Sequence, residues 1–521
     1  MQAPQNIEIN DDFKKAIDLL ENSNKTLFIT GKAGTGKSTL LTYFRTNSTK
    51  NVIVLAPTGV SAINVKGQTI HSFFRFKASS SLQEINSKKS PDKKLLSILK
   101  ATDTIIIDEI SMVRADLLDM VDAKLRKTLN ENLPFGGLQM VFIGDLYQLP
   151  PVVSGKAERE FFSTFYESSY FFDAKIFKQL DLEIIELEKI YRQKDSDFIE
   201  ILNKIRNNSI EDYDLEKLNE RFLYGFENYD EDKFFITLTT TNAVADNLND
   251  QKLRQLEGEI HSFYAEISGK FEKNQLPTSE ILKLKIGSQV MMLNNDSMGR
   301  WVNGSVGKII DVFYDEEIES QVLEIILQDN TTVFVEPHNW ELFNYTYNKK
   351  EGKLDMERLG SFKQFPLRLA WAITIHKSQG KTFENVIVDI GSGAFAQGQV
   401  YVAISRSTSL EGLILKRPIH KQHIWTDYKI VKFLTKFQYD KSEVKMPISE
   451  KMERISRAIN EKKLVKITYL KSDDTKSSRE VLPYLVGEMQ YSNKSFIGME
   501  AFCTKRNEKR CFRIDRILEI E

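Results

Sequence analysis

The chain has 521 residues, of which 41% are hydrophobic and 28% are charged. This length predicts three to four domains with cores of their own, and the composition excludes a small disulfide-stapled fold and a mostly disordered chain. Lysine and arginine number 72 against 73 aspartates and glutamates, a formal net charge of -1. Because no global positive field draws the protein to nucleic acid or anionic lipid, any polyanion site must be local.

Targeting segments and metal-binding spacings are not expected in this sequence. No stretch approaches the roughly 18 apolar residues of a membrane span, and the start MQAPQNIEINDD lacks the segments of a secretion signal. We therefore expect a cytoplasmic protein, associated with the nucleoid if bacterial. Cys503 and Cys511 are interpreted as reduced packing thiols. The six histidines show no HExxH spacing, so a transition-metal enzyme is not expected.

The first predicted strand, Thr26–Thr30, leads into a glycine-rich loop and then a helix. The loop, GKAGTGKS, matches GxxxxGK[ST], whose backbone N–H groups and helix N-terminus bind phosphates. Lys37 would reach the β- and γ-phosphate oxygens, and the Ser38 hydroxyl would ligate Mg²⁺. We predict ATP and Mg²⁺ as cofactors, with the phosphate site formed by Gly31, Ala33, Gly34, Thr35, Gly36, Lys37, Ser38 and Thr39.

Three further apolar runs, 51–55, 104–107 and 139–143, are typical of strands covered on both faces, as in a parallel sheet. Asp108 and Glu109 end the second of these runs, so Asp108 is predicted to bind Mg²⁺ and Glu109 to act as general base for the attacking water. Gln148 follows the next strand and is predicted to position the water or sense the γ-phosphate. Hydrolysis, and not only binding, is therefore expected.

Two arginines are candidates for neutralising transition-state charge on the phosphoryl oxygens: Arg192 in Tyr-Arg-Gln and Arg406 in YVAISR. A surface salt bridge is the alternative for either. The runs 184–187, 234–239 and 386–390 predict a second α/β layer in which Arg406 lies. Within it, short alternating segments from 287 to 365 predict a small antiparallel barrel.

The motifs GKAGTGKS, APTGVSAINVKGQTIHSFF, DEISMV, GDLYQLPPV, YRQ, AITIHKSQGKTF and YVAISRSTSLEGL occur in the order and spacing of superfamily-one helicases. They most resemble the petite-integration-frequency (Pif) family in its RecD-like branch, over residues 24–415. The resemblance implies the catalytic set Lys37, Asp108, Glu109, Gln148, Arg192 and Arg406, with Gly380 and Gln399 near the nucleotide. It implies a DNA-facing set of Pro57, Thr58, His71, Phe73, Thr374, His376, Lys377 and Ser378. Asn10-Asp-Asp-Phe13 stands where the family usually has an adenine-reading glutamine, which leaves adenine selectivity open.

The C-terminal segment resembles a WYL domain in its leading helix, VKITY, REVLPY and RCFRIDRI, although the naming tripeptide is Phe-Ile-Gly here. From Glu450 to Glu521 there are sixteen Lys/Arg and twelve Asp/Glu, a local net of about +4. A nucleic-acid or nucleotide-ligand surface is predicted, and an ordinary solvated face is the alternative. The candidate residues are Arg479, Arg510, Arg513 and Arg516.

The expected fold class is α/β: two RecA-like P-loop NTPase lobes with parallel sheets, a small insertion in the first, a small β-barrel in the second and a C-terminal α+β WYL-like small barrel. The predicted boundaries are 1–62 and 101–180 for lobe 1, 63–100 for the insertion or wedge, 181–292 and 366–438 for lobe 2, 293–365 for the barrel, 439–450 for a linker and 451–521 for the WYL-like domain.

The resemblance implies an ATP-dependent DNA helicase that moves 5′ to 3′ on single-stranded DNA and unwinds duplex or structured DNA in genome maintenance. Expected partners are single-stranded DNA and single-strand/duplex junctions, with G-quadruplexes and RNA–DNA hybrids left open. No membrane partner is expected, and the expected state is a monomer, with a dimer on DNA left open. The alternative is an ATP-dependent, nucleic-acid-associated regulatory switch without strand separation, which stimulation of ATP hydrolysis by single-stranded DNA would distinguish.

Overall fold

A computed structural model describes residues 9–77, 80–87, 92–153, 155–193, 195–222, 233–269, 271, 276–348, 353–391, 393, 396–491 and 494–521. The chain divides into two compact units. The first comprises residues 1–202 and 212–423, and the second comprises residues 203–211 and 424–521. Among the described helices, none is both long and apolar enough to cross a membrane.

Lobe 1 of the first unit carries a six-stranded sheet in which every pair is parallel. Its elements are α1 (Asp11–Asn22), β1 (Thr26–Gly31), α2 (Lys37–Asn47), β2 (Val52–Ala56), α3 (Gly59–Asn64), β3 (Gln68–Thr69), α4 (Ile70–Phe74), α5 (Leu82–Ser87), α6 (Lys93–Lys100), β4 (Thr104–Ile107), α7 (Ala115–Leu129), β5 (Gln139–Ile143), α8 (Gly155–Phe165) and β6 (Leu182–Leu187). The strand order is β3-β2-β4-β5-β1-β6. Both central strands β4 and β5 are buried along their whole length, as their continuous apolar sequences predict.

Two sequence assignments are wrong in this lobe. The run 184–187 was assigned to the second layer, but β6 pairs with β1 from Thr26↔Leu182 to Gly31↔Leu187. Residues 63–100 are not wholly an exposed excursion, because β3 joins the sheet and α6 buries Leu95, Ile98 and Leu99. Strand neighbours and helix docking depend on long-range packing, which local composition does not report. Residues 78–79 and 88–91 of that stretch lie outside the described residues.

Lobe 2 carries a four-stranded parallel sheet of order β18-β7-β19-β20. The elements from residue 196 onward are α9 (Ser196–Arg206), α10 (Asp212–Asn219), β7 (Phe235–Thr239), α11 (Asn242–Gln255), β8 (His261–Tyr264), β9 (Glu266–Gly269), β10 (Ile281–Leu284), β11 (Gln289–Met292), β12 (Val306–Asp315), β13 (Ser320–Leu327), β14 (Thr332–Val335), β15 (His338–Asn348), β16 (Lys353–Gln364), β17 (Leu367–Leu369), β18 (Ala372–Thr374), β19 (Asn385–Asp389), α12 (Gln399–Ile404) and β20 (Leu413–Leu415).

The inserted β-structure between β7 and β18 consists of antiparallel sheets. One has five strands in the order β14-β13-β12-β11-β17, a second has the order β15-β16-β9, and β8 pairs with β10. Its core includes Leu284, Ile309 and Leu323. The insertion was predicted to begin at residue 293, but β8 starts at His261 and β11 ends at Met292, so that boundary is wrong. The sequence pattern of β8 is hard to recognise because the strand is only four residues long.

The second unit contains α13 (Tyr428–Lys445), α14 (Ile448–Glu461), β21 (Val465–Leu470), β22 (Lys476–Tyr491), β23 (Lys494–Cys503), β24 (Glu508–Arg513) and β25 (Ile517–Ile520). The strands form one antiparallel sheet of order β24-β23-β22-β21-β25. The predicted linker 439–450 is wrong, because α13 continues to Lys445 and α14 starts at Ile448. A charge-rich sequence there is the solvent face of a helix.

Candidate active site between two parallel-sheet lobes

The predicted phosphate loop connects β1 to α2. Gly34 and Gly36 have φ angles of 81° and 88°, a left-handed conformation that glycine adopts without strain. Lys37 Nζ donates to the carbonyl oxygens of Gly31 at 2.6 Å and Lys32 at 3.0 Å, so its ammonium lies inside the loop. The structure thus places all eight predicted phosphate-site residues in one loop and the first turn of α2.

Asp108 and Glu109 follow β4 at the carboxyl edge of the lobe 1 sheet. Burial, and then the neighbouring Glu109 carboxylate, raise the pKa of Asp108 to about 7, while Lys37 opposes this shift. Burial also raises the pKa of Glu109, against the opposing charges of Lys37 and Arg406. Glu109 has a φ of 51°, an uncommon conformation for a residue with a side chain. The two carboxyl groups therefore lie near enough to the loop lysine for its charge to lower the pKa of each.

Gln148 follows β5 and donates from Nε2 to Asp145 Oδ2 at 3.3 Å. Asp145 also accepts from the Tyr147 amide at 3.1 Å and is 1% exposed. Its charge acts on both Glu109 and Arg406. Asp145 is not among the predicted site residues, although it follows a parallel strand just as Asp108 does. Asp145 holds the amide of Gln148.

The two candidate arginines lie close together, since the charge of Arg192 lowers the pKa of Arg406. Burial is the larger cause, and together they bring the pKa of Arg406 to about 9. Arg406 is 1% exposed, and its Nη1 donates to the carbonyl oxygens of Ser378 at 3.3 Å and Lys381 at 3.1 Å. Arg192, just after β6, donates from Nη1 to the carbonyl oxygen of Ser405 at 3.2 Å. In these contacts both guanidinium groups donate to backbone carbonyl oxygens and not to surface carboxylates.

Lobe 2 also approaches the loop that follows β5 in lobe 1. A Cβ built on Gly398 would lie 2.3 Å from the Tyr147 carbonyl oxygen and 2.7 Å from that of Gln148. Gln399, next to it, starts α12 and is fully buried. Gly380 lies in the loop whose carbonyl groups hold Arg406. Gln399 is therefore next to the contact between the lobes, and Gly380 is in the loop that binds Arg406.

The segment before the phosphate loop departs from the family pattern, and the structure shows what occupies it. Phe13 is 2% exposed, and a Cβ on Gly36 would lie 3.2 Å from its ring. Asn10 caps α1 by accepting from the Phe13 amide at 2.9 Å and donates from Nδ2 to Tyr191 Oη at 3.3 Å. An aromatic ring therefore supports the loop, and the nearby amide is engaged with Tyr191.

The predicted DNA-facing side chains divide into accessible and buried groups. His71 and Lys377 are exposed, while Pro57, Thr58 and His376 are partly exposed. Three of the predicted side chains are buried, since Phe73, Thr374 and Ser378 are 4%, 4% and 0% exposed, and their contact with DNA stays a prediction. The Phe73 ring packs edge-on to Tyr345, and the Ser378 hydroxyl donates to the Ile375 carbonyl oxygen at 2.7 Å. Adjacent residues share a motif but point in different directions.

The four predicted arginines of the second unit have different surroundings. Arg479 on β22 is 8% exposed, and its buried Nη1 has no hydrogen-bond partner among the described residues. Arg513 donates to both carboxylate oxygens of Asp515 at 3.0 and 2.6 Å and lies 5.3 Å from the Phe496 ring centroid. Arg510 is 3.6 Å from Glu508, and Arg516 bonds Tyr469. Arg479 is the member of this set with an unused buried donor.

Three family models match the chain: PIF1-like helicase over residues 7–216, UvrD-like helicase C-terminal domain over 369–414, and WYL domain over 450–521. The ATP-dependent DNA helicase Pif1 of Bdellovibrio bacteriovorus is 32% identical over 440 residues, covering 83% of this chain and 93% of the relative.

Solved structures of Pif1 from Bacteroides sp. have the same fold. The complex with ADP-AlF4 is 37% identical, covers 84% of this chain and 98% of its own, and has a TM-score of 0.75. The form bound to single-stranded DNA is 38% identical, covers 82% of this chain and 96% of its own, and has a TM-score of 0.59. The expected fold class of two RecA-like lobes with a C-terminal WYL domain is confirmed.

Proposed function

Because this chain belongs to the PIF1-like helicase family, we propose that its two lobes form the motor of an ATP-dependent DNA helicase that moves 5′ to 3′ along single-stranded DNA. One observation carries this proposal most directly. Arg192, which lies against Gly34 of the phosphate loop, donates to the carbonyl oxygen of Ser405 at 3.2 Å, next to the buried Arg406 of lobe 2, as in a nucleotide site shared by two lobes. The direction of movement comes from family membership.

Hydrolysis follows from the roles of these side chains. The loop amides and the start of α2 bind the phosphates, and Lys37 turns from its carbonyl partners to the β- and γ-oxygens. Glu109, whose pKa is raised by burial, accepts a proton from the attacking water. Gln148, held by Asp145, orients that water. Arg192 and Arg406 neutralise the charge that develops on the transferred phosphoryl group.

Magnesium fits the residues present. The Ser38 hydroxyl and the Asp108 carboxylate are oxygen ligands of the kind Mg²⁺ prefers, and Mg²⁺ usually takes one or two carboxylates with phosphate oxygens and water. No cluster of three or more metal-binding acids, histidines or cysteines occurs among the described residues, which is compatible with such a site. The ion would neutralise phosphate charge when bound.

Coupling to DNA is proposed to run through Arg406. Its guanidinium donates to carbonyl groups of the loop that contains His376 and Lys377, two of the accessible DNA candidates. When Arg406 moves to a γ-phosphate, that loop loses its hydrogen-bond donor. ATP binding and release would thus alternately change the grip of lobe 2 on the strand.

The DNA substrates follow partly from the relatives. The Bacteroides protein binds single-stranded DNA, and we propose the same for this chain, with Pro57, Thr58, His71, His376 and Lys377 contacting phosphates without reading sequence. Single-strand/duplex junctions, quadruplexes and RNA–DNA hybrids in genome maintenance are the proposed substrates. We propose that the monomer is the basic motor. We also propose that the protein is located with the cell's DNA, which in a bacterium lies in the cytoplasm.

Two inserted parts are proposed to shape unwinding. The segment that contains α5 would split the duplex, and the β-insertion between β7 and β18 would guide the strand. Deletion of Leu82–Ser87 should lower strand separation while DNA-stimulated ATP hydrolysis persists. Normal unwinding by that variant would show that this segment does not split the duplex.

The test of the motor uses matched duplexes with a 5′ or a 3′ single-stranded tail, with and without ATP and Mg²⁺. We expect unwinding of the 5′-tailed duplex alone, lost in Glu109→Gln, which should still bind ATP. A second glutamate variant outside the site, Glu131→Gln, serves as control. DNA-stimulated hydrolysis without strand separation on either duplex would favour the regulatory switch.

The WYL domain is proposed to bind an anionic ligand, with single-stranded nucleic acid as the favoured class. The buried, unused Nη1 of Arg479 supports this proposal, together with Lys509 5.5 Å from the Tyr484 ring centroid. Arg479→Gln and Arg510→Gln should weaken DNA binding and reduce its salt dependence, since each lost phosphate contact removes a released counterion. If the salt dependence of DNA binding is unchanged in both variants, this surface is an ordinary solvated face.

A further inference from the structure

Tyr401 of lobe 2 makes a direct hydrogen bond to the phosphate loop of lobe 1. The backbone amide of Ala33 donates to the Tyr401 hydroxyl oxygen at 3.0 Å, in a buried contact. Tyr401 lies on α12 and is 4% exposed, and Ala33 is 7% exposed. A side-chain oxygen from one lobe thus occupies a backbone donor of the loop that binds phosphates on the other.

The position of Ala33 in the loop indicates which phosphate would use its amide. Lys37 and Ser38 lie at the start of α2, where the helix N-terminus binds the β-phosphate. Ala33 lies on the opposite limb of the loop, next to Gly34. A Cβ built on Gly34 would be 2.5 Å from the Arg192 Cβ, so this limb lies against Arg192. The Ala33 amide therefore points to the γ-phosphate end of the site.

The charges around the phenol are those of a phosphate site. The Tyr401 side chain favours the charged form of both Arg192 and Arg406, while burial lowers the pKa of each guanidinium. The hydroxyl oxygen therefore lies near two cations and accepts from a loop amide. These are the groups that would surround a γ-phosphate oxygen.

We propose that Tyr401 is a positioning residue whose hydroxyl holds the place of a γ-phosphate oxygen and is displaced when a nucleoside triphosphate binds. The inference deepens the proposed ATPase function and rests on it. Tyr401 and Arg406 are five residues apart, and Arg406 Nε donates to the Val402 carbonyl oxygen at 2.9 Å. Displacement of Tyr401 would move α12 and with it the anchor of Arg406. A triphosphate would in this way release the arginine that it needs.

The test is Tyr401→Phe in the full chain, which keeps the ring and removes the oxygen. Affinities are measured for ADP and for the β,γ-imido analogue of ATP, both with Mg²⁺. Because the triphosphate no longer competes for the Ala33 amide, its affinity should rise about fivefold, the factor of one ordinary hydrogen bond. The affinity for ADP, which has no γ-phosphate, should not change. The ratio of the two affinities is the readout, since a general packing defect would affect both.

Tyr166→Phe is the matched control, because its buried hydroxyl bonds Asp119 at 2.9 Å outside this site. It should lower stability and leave the ratio unchanged. An unchanged ratio in Tyr401→Phe, or a triphosphate affinity that falls, would overturn the inference. DNA-stimulated ATP hydrolysis by the wild type tests the proposed motor separately. If the wild type shows this hydrolysis but Tyr401→Phe leaves the ratio of triphosphate to ADP affinity unchanged, the proposed role of Tyr401 is wrong and the proposed motor stands.

Discussion

The guanidinium of Arg406 donates to the backbone carbonyl oxygen of Lys381 at 3.1 Å. This bond joins the residue proposed to act on the γ-phosphate to the end of the loop proposed to face DNA. Four of the five N–H groups of Arg406 are engaged within lobe 2, so a two-pronged bond to a phosphate requires it to give up at least one present partner. The two ligands of the motor therefore share one side chain.

Arg406→Lys should retain the positive charge but lose the planar fork. We expect DNA-stimulated kcat to fall by about 100-fold or more, since arginine fingers contribute at least this much to phosphoryl transfer. ATP binding should persist. The measurement is steady-state hydrolysis with and without single-stranded DNA.

Arg221→Lys is the control for this substitution, because Arg221 also donates to lobe 2 carbonyl groups, those of Leu413 at 2.9 Å and Glu411 at 2.7 Å. It should change stability and leave kcat near that of the wild type. If both variants lose hydrolysis equally, Arg406 has a structural role alone.

Gly398→Ala should prevent the close approach of α12 to the loop after β5. The new Cβ would lie 2.3 Å from the Tyr147 carbonyl oxygen, so the lobes must separate or the loop must shift. We expect a fall of about tenfold or more in DNA-stimulated kcat, because small misplacements of reacting groups are costly. Gly258→Ala has a similar positive φ of 86° and open space around its Cβ. A similar loss in both variants would assign the effect to backbone strain.

Lys381→Met should stabilise the protein at neutral pH. Burial, and then the charge of Arg368, lower the pKa of Lys381 from 10.5 to about 7. Between pH 7 and 10.5 the unfolded chain binds more protons at this site than the folded chain. The free energy of unfolding of the wild type therefore increases as the pH rises through this range. The variant should lack this gain and be more stable at pH 7 by on the order of 1–3 kcal/mol.

The same variant should bind single-stranded DNA more weakly, since Lys381 ends the loop proposed to face DNA and a cation there can contact a phosphate. Denaturant unfolding from pH 7 to 10 and DNA titration are the two measurements. Lys283→Met, at an exposed position on β10, is the control. Equal pH dependence in wild type and Lys381→Met would contradict the assigned ionisation.

Tyr345→Phe should weaken the attachment of the β15–β16 hairpin to lobe 1. The Val54 amide of β2 donates to the Tyr345 hydroxyl at 3.1 Å in a buried contact. Without that oxygen a buried amide lacks its partner, at a cost of about 1–3 kcal/mol in unfolding free energy. Denaturant unfolding measures it, with Tyr347→Phe on the same strand as control. A loss below a few tenths of a kcal/mol would show that another group replaces the bond.

Chemistry that is contiguous in the chain could be read from the amino-acid sequence alone. The phosphate loop needs only glycines, Lys37 and Ser38 in a row between a strand and a helix, and Asp108 with Glu109 needs only a buried strand before it. For the same reason the two parallel-sheet layers and the inserted antiparallel strands were predictable as classes. Local patterns report such features because backbone conformation and burial period are local properties.

Which distant residues meet depends on how the whole chain folds. The sheet to which residues 182–187 belong, the burial of Phe73 and Ser378, and the bond between Ala33 and Tyr401 depend on packing between segments up to 368 residues apart. Side chains next to each other in one motif face core or solvent according to what packs on them, which the motif does not encode. The chemical groups of the site were therefore readable from sequence, whereas their hydrogen-bond partners were not.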